Sequence, residues 1–316
     1  MRAGRSTIQK LAVASGKPAW RVSITKDPTH EKIASSLNYA NGDVIATTGG
    51  YIGDIPPYQG HLVTLRAADG TIAHVFNALC SDRRRLLRSG ECPDDGAAMW
   101  ARSGAAVDPK TGDLVVATGN GAFDGKTSWG DSLLVLSPDG SKLLRHWTPA
   151  NQEHLNELDL DLGASGPGLL PGGYVVQGGK DRRLHLVSPA MREVQTVATP
   201  GGGPMWTVPA TQGAWVYAAT YAGTQAWRLR RGKLVSVWRN RTGGSSPVVA
   251  GGLLYVAGDG ALAVYLPATG KLVARLPFGS YHWQTPVIAD GRIALADGDN
   301  NAHRLDGELN VYTAAS

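Results

Sequence analysis

Residues 245–260 read SSPVVAGGLLYVAGDG, and residues 35–50 read SSLNYANGDVIATTGG. Set side by side without a gap, both run Ser-Ser, a short apolar stretch, a Gly turn, a β-rich stretch and a closing Gly. The same unit returns at 103–119, 165–179, 207–220 and 284–298. With Leu37, Ala105, Pro167, Pro209, Pro247 and Pro286 as equivalent positions, the last four stand about forty residues apart, the length of a four-stranded propeller blade. The wider early gaps are blades carrying insertions at 77–99 and 145–158. Each unit continues into a second hairpin, as in HLVTLRAADGTIAHVF (61–76), LLVLSPDGSKLLRHW (133–147), TQAWRLRRGKLVSVW (224–238) and LAVYLPATGKLVARL (262–276). The turns are Asp-Gly, Arg-Gly or Thr-Gly, which supply the positive φ that tight hairpins require. Helical periodicity is almost absent. The fold expected is all-β, a β-propeller of about seven four-stranded blades whose N-terminal blade is incomplete. It forms one domain over 1–316, with a partial blade at 1–30 and six blades at 31–316.

Composition is consistent with a globular chain. Of 316 residues, 42% are apolar and 18% charged, and 41 are glycine. The net charge of +5 is a mild excess. Its main cluster, Arg83, Arg84, Arg85 and Arg88, has no interleaved aromatics, so it reads as a solvated loop and no nucleic-acid partner is expected. No apolar run is long enough for a membrane span. No apolar core of a signal peptide follows Met1, so the chain is expected to be either cytosolic or cut from a longer parent, perhaps an eight-bladed one. Cys80 and Cys92 are the two cysteines and flank the Arg-rich insertion. A disulfide between them would imply an oxidising compartment, and it is favoured over two free thiols because the insertion reads as a surface excursion with no core of its own.

Polar residues gather at the ends of the strands between Trp100 and Asp181. In a four-stranded meander, the loop between second and third strands lies on the same face as the entry to the first strand. Asp54, Asn120 and Lys180 fall in the former position, and Arg102, Asp159 and Asp161 in the latter. All six are therefore expected at one mouth. An Asn or Asp alone is explained by turn geometry. Lys180 and Arg102 have no turn role, which makes the group a candidate site.

These segments resemble the quinoprotein alcohol dehydrogenases, propellers that bind pyrroloquinoline quinone (PQQ) and calcium. AVDPKTGDLVVATGNG (106–121) matches their Asp-Pro, turn, strand and Gly-Asn motif. The resemblance makes Asn120 a metal ligand. LDLDLGASGPGLL (158–170) resembles the segment of the catalytic Asp, which implies Asp159 as base and metal ligand, with Asp161 a near alternative. GGKDRRLHLVSP (178–189) implies Lys180 as the contact to the quinone oxygens. Calcium takes several oxygen ligands and could polarise a quinone carbonyl while an Asp accepts the alcohol proton. The quinone itself would carry the hydride.

The departures are equally specific. The position of the family's stacking Trp is Arg102, and Trp100 lies two residues away on the same strand parity. The family's acidic ligand maps to Asp54 only with a shifted register. No vicinal cysteine pair and no Cys-x-x-Cys-His haem motif is present. The resemblance therefore implies a PQQ-like propeller that is a non-enzymatic binding or scaffold protein, as the outer-membrane assembly factors are, with a partly retained quinone and metal face. Its partner would be a small molecule or protein at the channel mouth. The alternative is a PQQ- and calcium-dependent dehydrogenase oxidising an alcohol or sugar. Either implies a periplasmic or secreted protein. In a working site Arg102 would stack on the quinone in place of Trp; in a vestigial one it would pair with Asp159 or Asp161.

Overall fold

The computed structural model describes residues 6–33, 35–50, 54–88, 90–100, 102, 104–280, 283–298 and 307–313. The segment 1–5, residues 51–53 ahead of Asp54, and position 103 at the head of one repeat unit lie outside them. The chain divides into two compact units, one of residues 1–167 with 179–181, the other of residues 168–178 with 182–316.

In the first unit β1 (Thr7–Leu11) and β2 (Pro18–Ser23) form a hairpin of their own. The next sheet holds β3 (Glu31–Ile33), β4 (Asn38–Ala40), β5 (Asp43–Gly50), β6 (His61–Arg66) and β7 (Ile72–Asn77), in the order β3-β5-β6-β7 with β4 also on β5. A meander follows of β8 (Ala106–Val107), β9 (Leu114–Ala117), β10 (Leu133–Leu136) and β11 (Leu143–Trp147), and then a short helix α1 (Gln152–Glu157). Both central strands, LVVA in β9 and LLVL in β10, are buried along their whole length, because they are covered on both faces. Their side chains join Ile45, Leu62, Phe76 and Met99 in one core.

The second unit repeats the meander. Its sheets are β12 (Gly168–Leu170) to β13 (Tyr174–Gly178), β14 (Arg183–Val187) and β15 (Glu193–Ala198); β16 (Ala210–Gln212) to β17 (Trp215–Thr220), β18 (Gly223–Arg230) and β19 (Lys233–Asn240); and β20 (Val248–Ala250) to β21 (Leu253–Gly258), β22 (Ala261–Tyr265) and β23 (Leu272–Pro277). The last has β24 (Val287–Ala289), β25 (Arg292–Gly298) and β26 (Gly307–Thr313). Tight turns make the hairpins. Arg231-Gly232, Gly251-Gly252 and Asp290-Gly291 have positive φ at both central residues, as does Asn41-Gly42 in the first unit. That is the geometry whose twist matches the flanking strands.

The fold is all-β, as the repeat unit implied, but the blade count differs. The described residues form six sheets of three or more strands, where the sequence suggested about seven blades. The β1–β2 hairpin is the reason. Trp20 lies against Gly70 in the β6–β7 turn and donates its indole N–H to Ala67 O at 3.2 Å. Trp238 of β19 does the same to Gly270 and Pro267 O in the β22–β23 turn, at 2.7 Å. The hairpin thus supplies the outer half of a blade and packs Ile8 on Ala46, Val63 and Leu65.

The 77–99 insertion is joined by a disulfide, Cys80–Cys92, with Cα atoms 6.1 Å apart. It is not the coreless surface excursion expected. Leu79, Leu87 and both cysteines are buried in the first unit's core, while Arg83, Arg84, Arg85 and Arg88 face solvent. No helix among the described residues is long and apolar enough to cross a membrane.

Candidate functional site

Two features of the Gly-Asn-Gly at 119–121 concern room. A Cβ at Gly119 would stand 2.2 Å from Asp161 Oδ1, and one at Gly121 2.8 Å from the backbone nitrogen of Ala97. The glycines let a carboxylate and a second chain segment approach the end of β9, a use of Gly that has nothing to do with φ. The Asn120 N–H then donates to Asp161 Oδ1 at 2.7 Å.

Around that contact the expected residues assemble. Lys180, in the β13–β14 connection, places Nζ 2.8 Å from Asp159 Oδ1 and 2.5 Å from Asp161 Oδ2. Asn120 Nδ2 donates to Asp159 Oδ1 at 2.9 Å. Asp161 is 5% exposed. Burial pushes its carboxyl above the ordinary range, against the pull of Lys180 and the Asn120 N–H. Burial also works against the Lys180 ammonium, but Asp161 and Asp159 outweigh it and hold its pKa above that of a free lysine. Asp159 adopts a left-handed backbone, φ +54°, which Asp tolerates better than most residues.

Asp54 also sits at positive φ, +57°, and its Oδ1 lies over Gly50, 2.7 Å from where a Cβ would be. Loss of hydration raises its pKa to about 6, helped by the charge of Asp161 and opposed by Lys180 and Lys32. Arg102 is driven down to about 10 by burial, partly offset by Asp54, so it stays charged at neutral pH. Trp100 is buried with Tyr58 and Ala98 and backs onto Gly49. The Arg102 guanidinium is 5.9 Å from the Trp100 ring centroid and the Lys32 ammonium 5.6 Å. Lys180 pairs with both Asp159 and Asp161, the carboxylates named as partners for Arg102 in a vestigial site.

Three participants were not foreseen. Lys32 is held below the ordinary lysine range by burial and by Arg102. Burial pushes the Tyr58 hydroxyl up, with Asp54 and Asp161 adding to it. Asp131 is fully buried; burial raises its pKa to about 7, although Oδ1 accepts the Leu162 N–H at 3.0 Å. Among the described residues its Oδ2 has no hydrogen-bond partner. Only Asp131 left a trace in the sequence, as a carboxylate in the same long β9–β10 connection as Asn120.

Calcium requires six to eight oxygens. Here Lys32, Arg102 and Lys180 stand among Asp54, Asp159 and Asp161, with Asp131 buried beside them, and one ammonium already occupies both Asp159 and Asp161. Among the described residues no group of three or more His, Cys, Asp or Glu is placed to hold a metal ion. As they stand, the residues do not fit a calcium centre. One atom suits a ligand: Asn120 Oδ1 is buried and has no hydrogen-bond partner among the described residues.

A family model described as outer membrane protein assembly factor BamB matches residues 190–309. No curated protein matches the chain. Quinohemoprotein alcohol dehydrogenase from Comamonas testosteroni superimposes with a TM-score of 0.66 at 14% identity, over 94% of this chain and 61% of that one. The chain thus spans less than two thirds of that relative's length. A europium-containing methanol dehydrogenase gives 0.67 at 15% identity, over 94% and 72%. BamB from Moraxella catarrhalis gives 0.59 at 16% identity, over 99% and 84%. At these identities the likeness shows the fold, a β-propeller.

Proposed function

We propose that this chain, a PQQ-repeat β-propeller, is a non-enzymatic binding or scaffold protein with a self-neutralised remnant of a cofactor face. The observation that carries this reading is Lys180, whose ammonium bridges Asp159 and Asp161 at 2.8 and 2.5 Å. A base for alcohol oxidation must be free to take a proton, and a metal ligand must be free to meet a cation. Asp159 and Asp161 are already engaged by a cation that belongs to the protein. The match to the BamB model, which falls on 190–309 and outside the Asn120–Asp161 segments, supports the same reading. The Cys80–Cys92 bond suits a periplasmic or secreted protein.

The second reading, a PQQ- and calcium-dependent dehydrogenase, is favoured by the orphaned Asn120 Oδ1 and by the gathering of Asn120, Asp159 and Lys180. In that reading Asn120, Asp159 and Asp54 would hold the metal, Asp159 would be the base, and Lys180, Arg102 and Trp100 would contact the quinone. A titration of the purified chain with PQQ in millimolar calcium, read by quinone absorbance and by dye reduction with alcohols and sugars, separates the two. No spectral change and no dye reduction are expected. A saturable, calcium-dependent change in absorbance would favour the dehydrogenase.

A further inference from the structure

The second unit holds a groove of about 610 Å³ between β15 and β19, lined by Val197, Thr199, Trp227, Leu234, Arg239 and Arg241 among others. At one end a side chain acts as a piece of strand. The Gln195 amide of β15 takes the Leu234 N–H on Oε1 at 2.6 Å and gives its Nε2 to Leu234 O at 3.2 Å. Both outward backbone groups of Leu234 are thereby satisfied by a single amide. Lys233 closes the same end, with Nζ 3.0 Å from Val194 O.

In the β18–β19 ladder Leu234 faces Leu229, and Ser236 faces Trp227. An antiparallel ladder alternates pairs that bond across it with pairs that point outward. Ser236, two residues on from Leu234, is therefore the next to turn its N–H and C=O away from β18, into the groove. The groove offers an edge for a strand that Gln195 has begun and does not continue. Its opposite end is pinned: Thr199 donates to Gly203 O at 2.6 Å and Thr220 to Pro200 O at 2.7 Å. Trp227 and Leu234 make an apolar floor. Arg239 and Arg241 stand exposed at the rim, and among the described residues neither makes an ion pair and no lining residue is acidic.

We propose that this groove receives an extended acidic peptide segment, which adds to the β19 edge beyond Gln195. The edge supplies backbone hydrogen bonds, the floor takes an apolar side chain, and the two arginines select carboxylates. Basic segments are rejected by the same pair. The groove lies wholly in the second unit, and its use does not depend on the chemistry at Lys180.

The probe is an acetylated, amidated eight-residue peptide alternating Val and Glu, added to the full chain and followed by Trp fluorescence and by hydrogen exchange. Saturable binding is expected, with added protection at the Ser236 amide. Replacing Glu by Lys in the peptide, or placing Pro at its centre, should weaken binding tenfold or more. The variant Arg239→Glu with Arg241→Glu should do the same, with far-UV circular dichroism unchanged. If that variant does not fold, the two altered peptides still decide the matter. Equal binding of the acidic and Lys peptides, undiminished binding of the Pro peptide, protection elsewhere than β19, or no binding at all would overturn the proposal.

Discussion

The connections between second and third strands after β5 and β9, in the first unit, differ sharply in length from those after β17 and β21, in the second. In the first they run over 51–60 after β5 and over 118–132 after β9. In the second they are only Tyr221-Ala222 after β17 and Asp259-Gly260 after β21, while residues 299–306 join β25 to β26. The strands are alike, and the cores are alike in composition. What changes is how much chain is available at the strand ends. The long connections carry Asp54, Tyr58, Asn120 and Asp131, each of which interacts with a neighbour or shifts in pKa there, and the last three are buried or half-buried. The two-residue turns have no length to bring a charged group over a neighbour. The same repeat therefore gives a charge cluster at the connections after β5 and β9 and plain hairpins after β17 and β21, with chemistry set by loops on a scaffold of strands.

The largest expected effect comes from releasing the clamp on the first unit's long insertion. Cys80→Ser with Cys92→Ser should cost about 3 kcal/mol, the chain-entropy value for a loop of this length. The loss should be visible as a lower urea midpoint, and the tight-turned second unit holds no equivalent bond. A near-zero change would mean that Leu79 and Leu87 anchor the loop alone.

Next is the ion-pair centre. Lys180→Met leaves Asp161 buried without its ammonium and should cost about 2 kcal/mol, less than a fully buried pair because Asp161 can take up a proton. The double variant Lys180→Met with Asp161→Asn should recover part of that loss. Failure of the double variant to recover anything would show that the Asp161 contact to the Asn120 N–H matters more than its charge.

Asp131 gives a pH signature. Its folded pKa of about 7 lies above the ordinary value of 3.8, so the native state binds the extra proton between those pH values. Stability from this group is therefore present at low pH and falls as pH rises from about 4 to 7. Asp131→Asn should flatten that slope and raise stability at pH 7 by about 1–2 kcal/mol, read by thermal unfolding at several pH values. An unchanged slope would place the proton elsewhere. The smallest effect belongs to the second unit. Gly260, at φ +76° with open space where a Cβ would be, should lose about 1 kcal/mol on substitution by Ala, from backbone strain alone.

Most of the fold was readable because its turns are local. Asn41-Gly42, Arg231-Gly232 and Asp290-Gly291 announce hairpins without any tertiary context. The blade count was readable except at the incomplete N-terminal blade, where the role of Trp20 depends on Gly70, fifty residues on. The Arg run at 83–85 masked Leu79 and Leu87, whose burial is decided by β6 and β10 and not by their neighbours. In the site, Asn120, Asp159, Asp161 and Lys180 were legible from motif and strand order. Lys32 was not: its depressed pKa comes from burial and then from the charge of Arg102, and nothing near residue 32 signals either.

On the proposed reading, the Lys180 ammonium neutralises the carboxylates that a quinoprotein site would leave free for a cation. The most direct measurement is the unfolding temperature of the intact chain with PQQ and calcium, each at a hundredfold range of concentrations. A ligand of the native state stabilises in proportion to the logarithm of its concentration. The expected result is a wild-type transition that does not move with either ligand. A rise of several degrees that requires both together would contradict it.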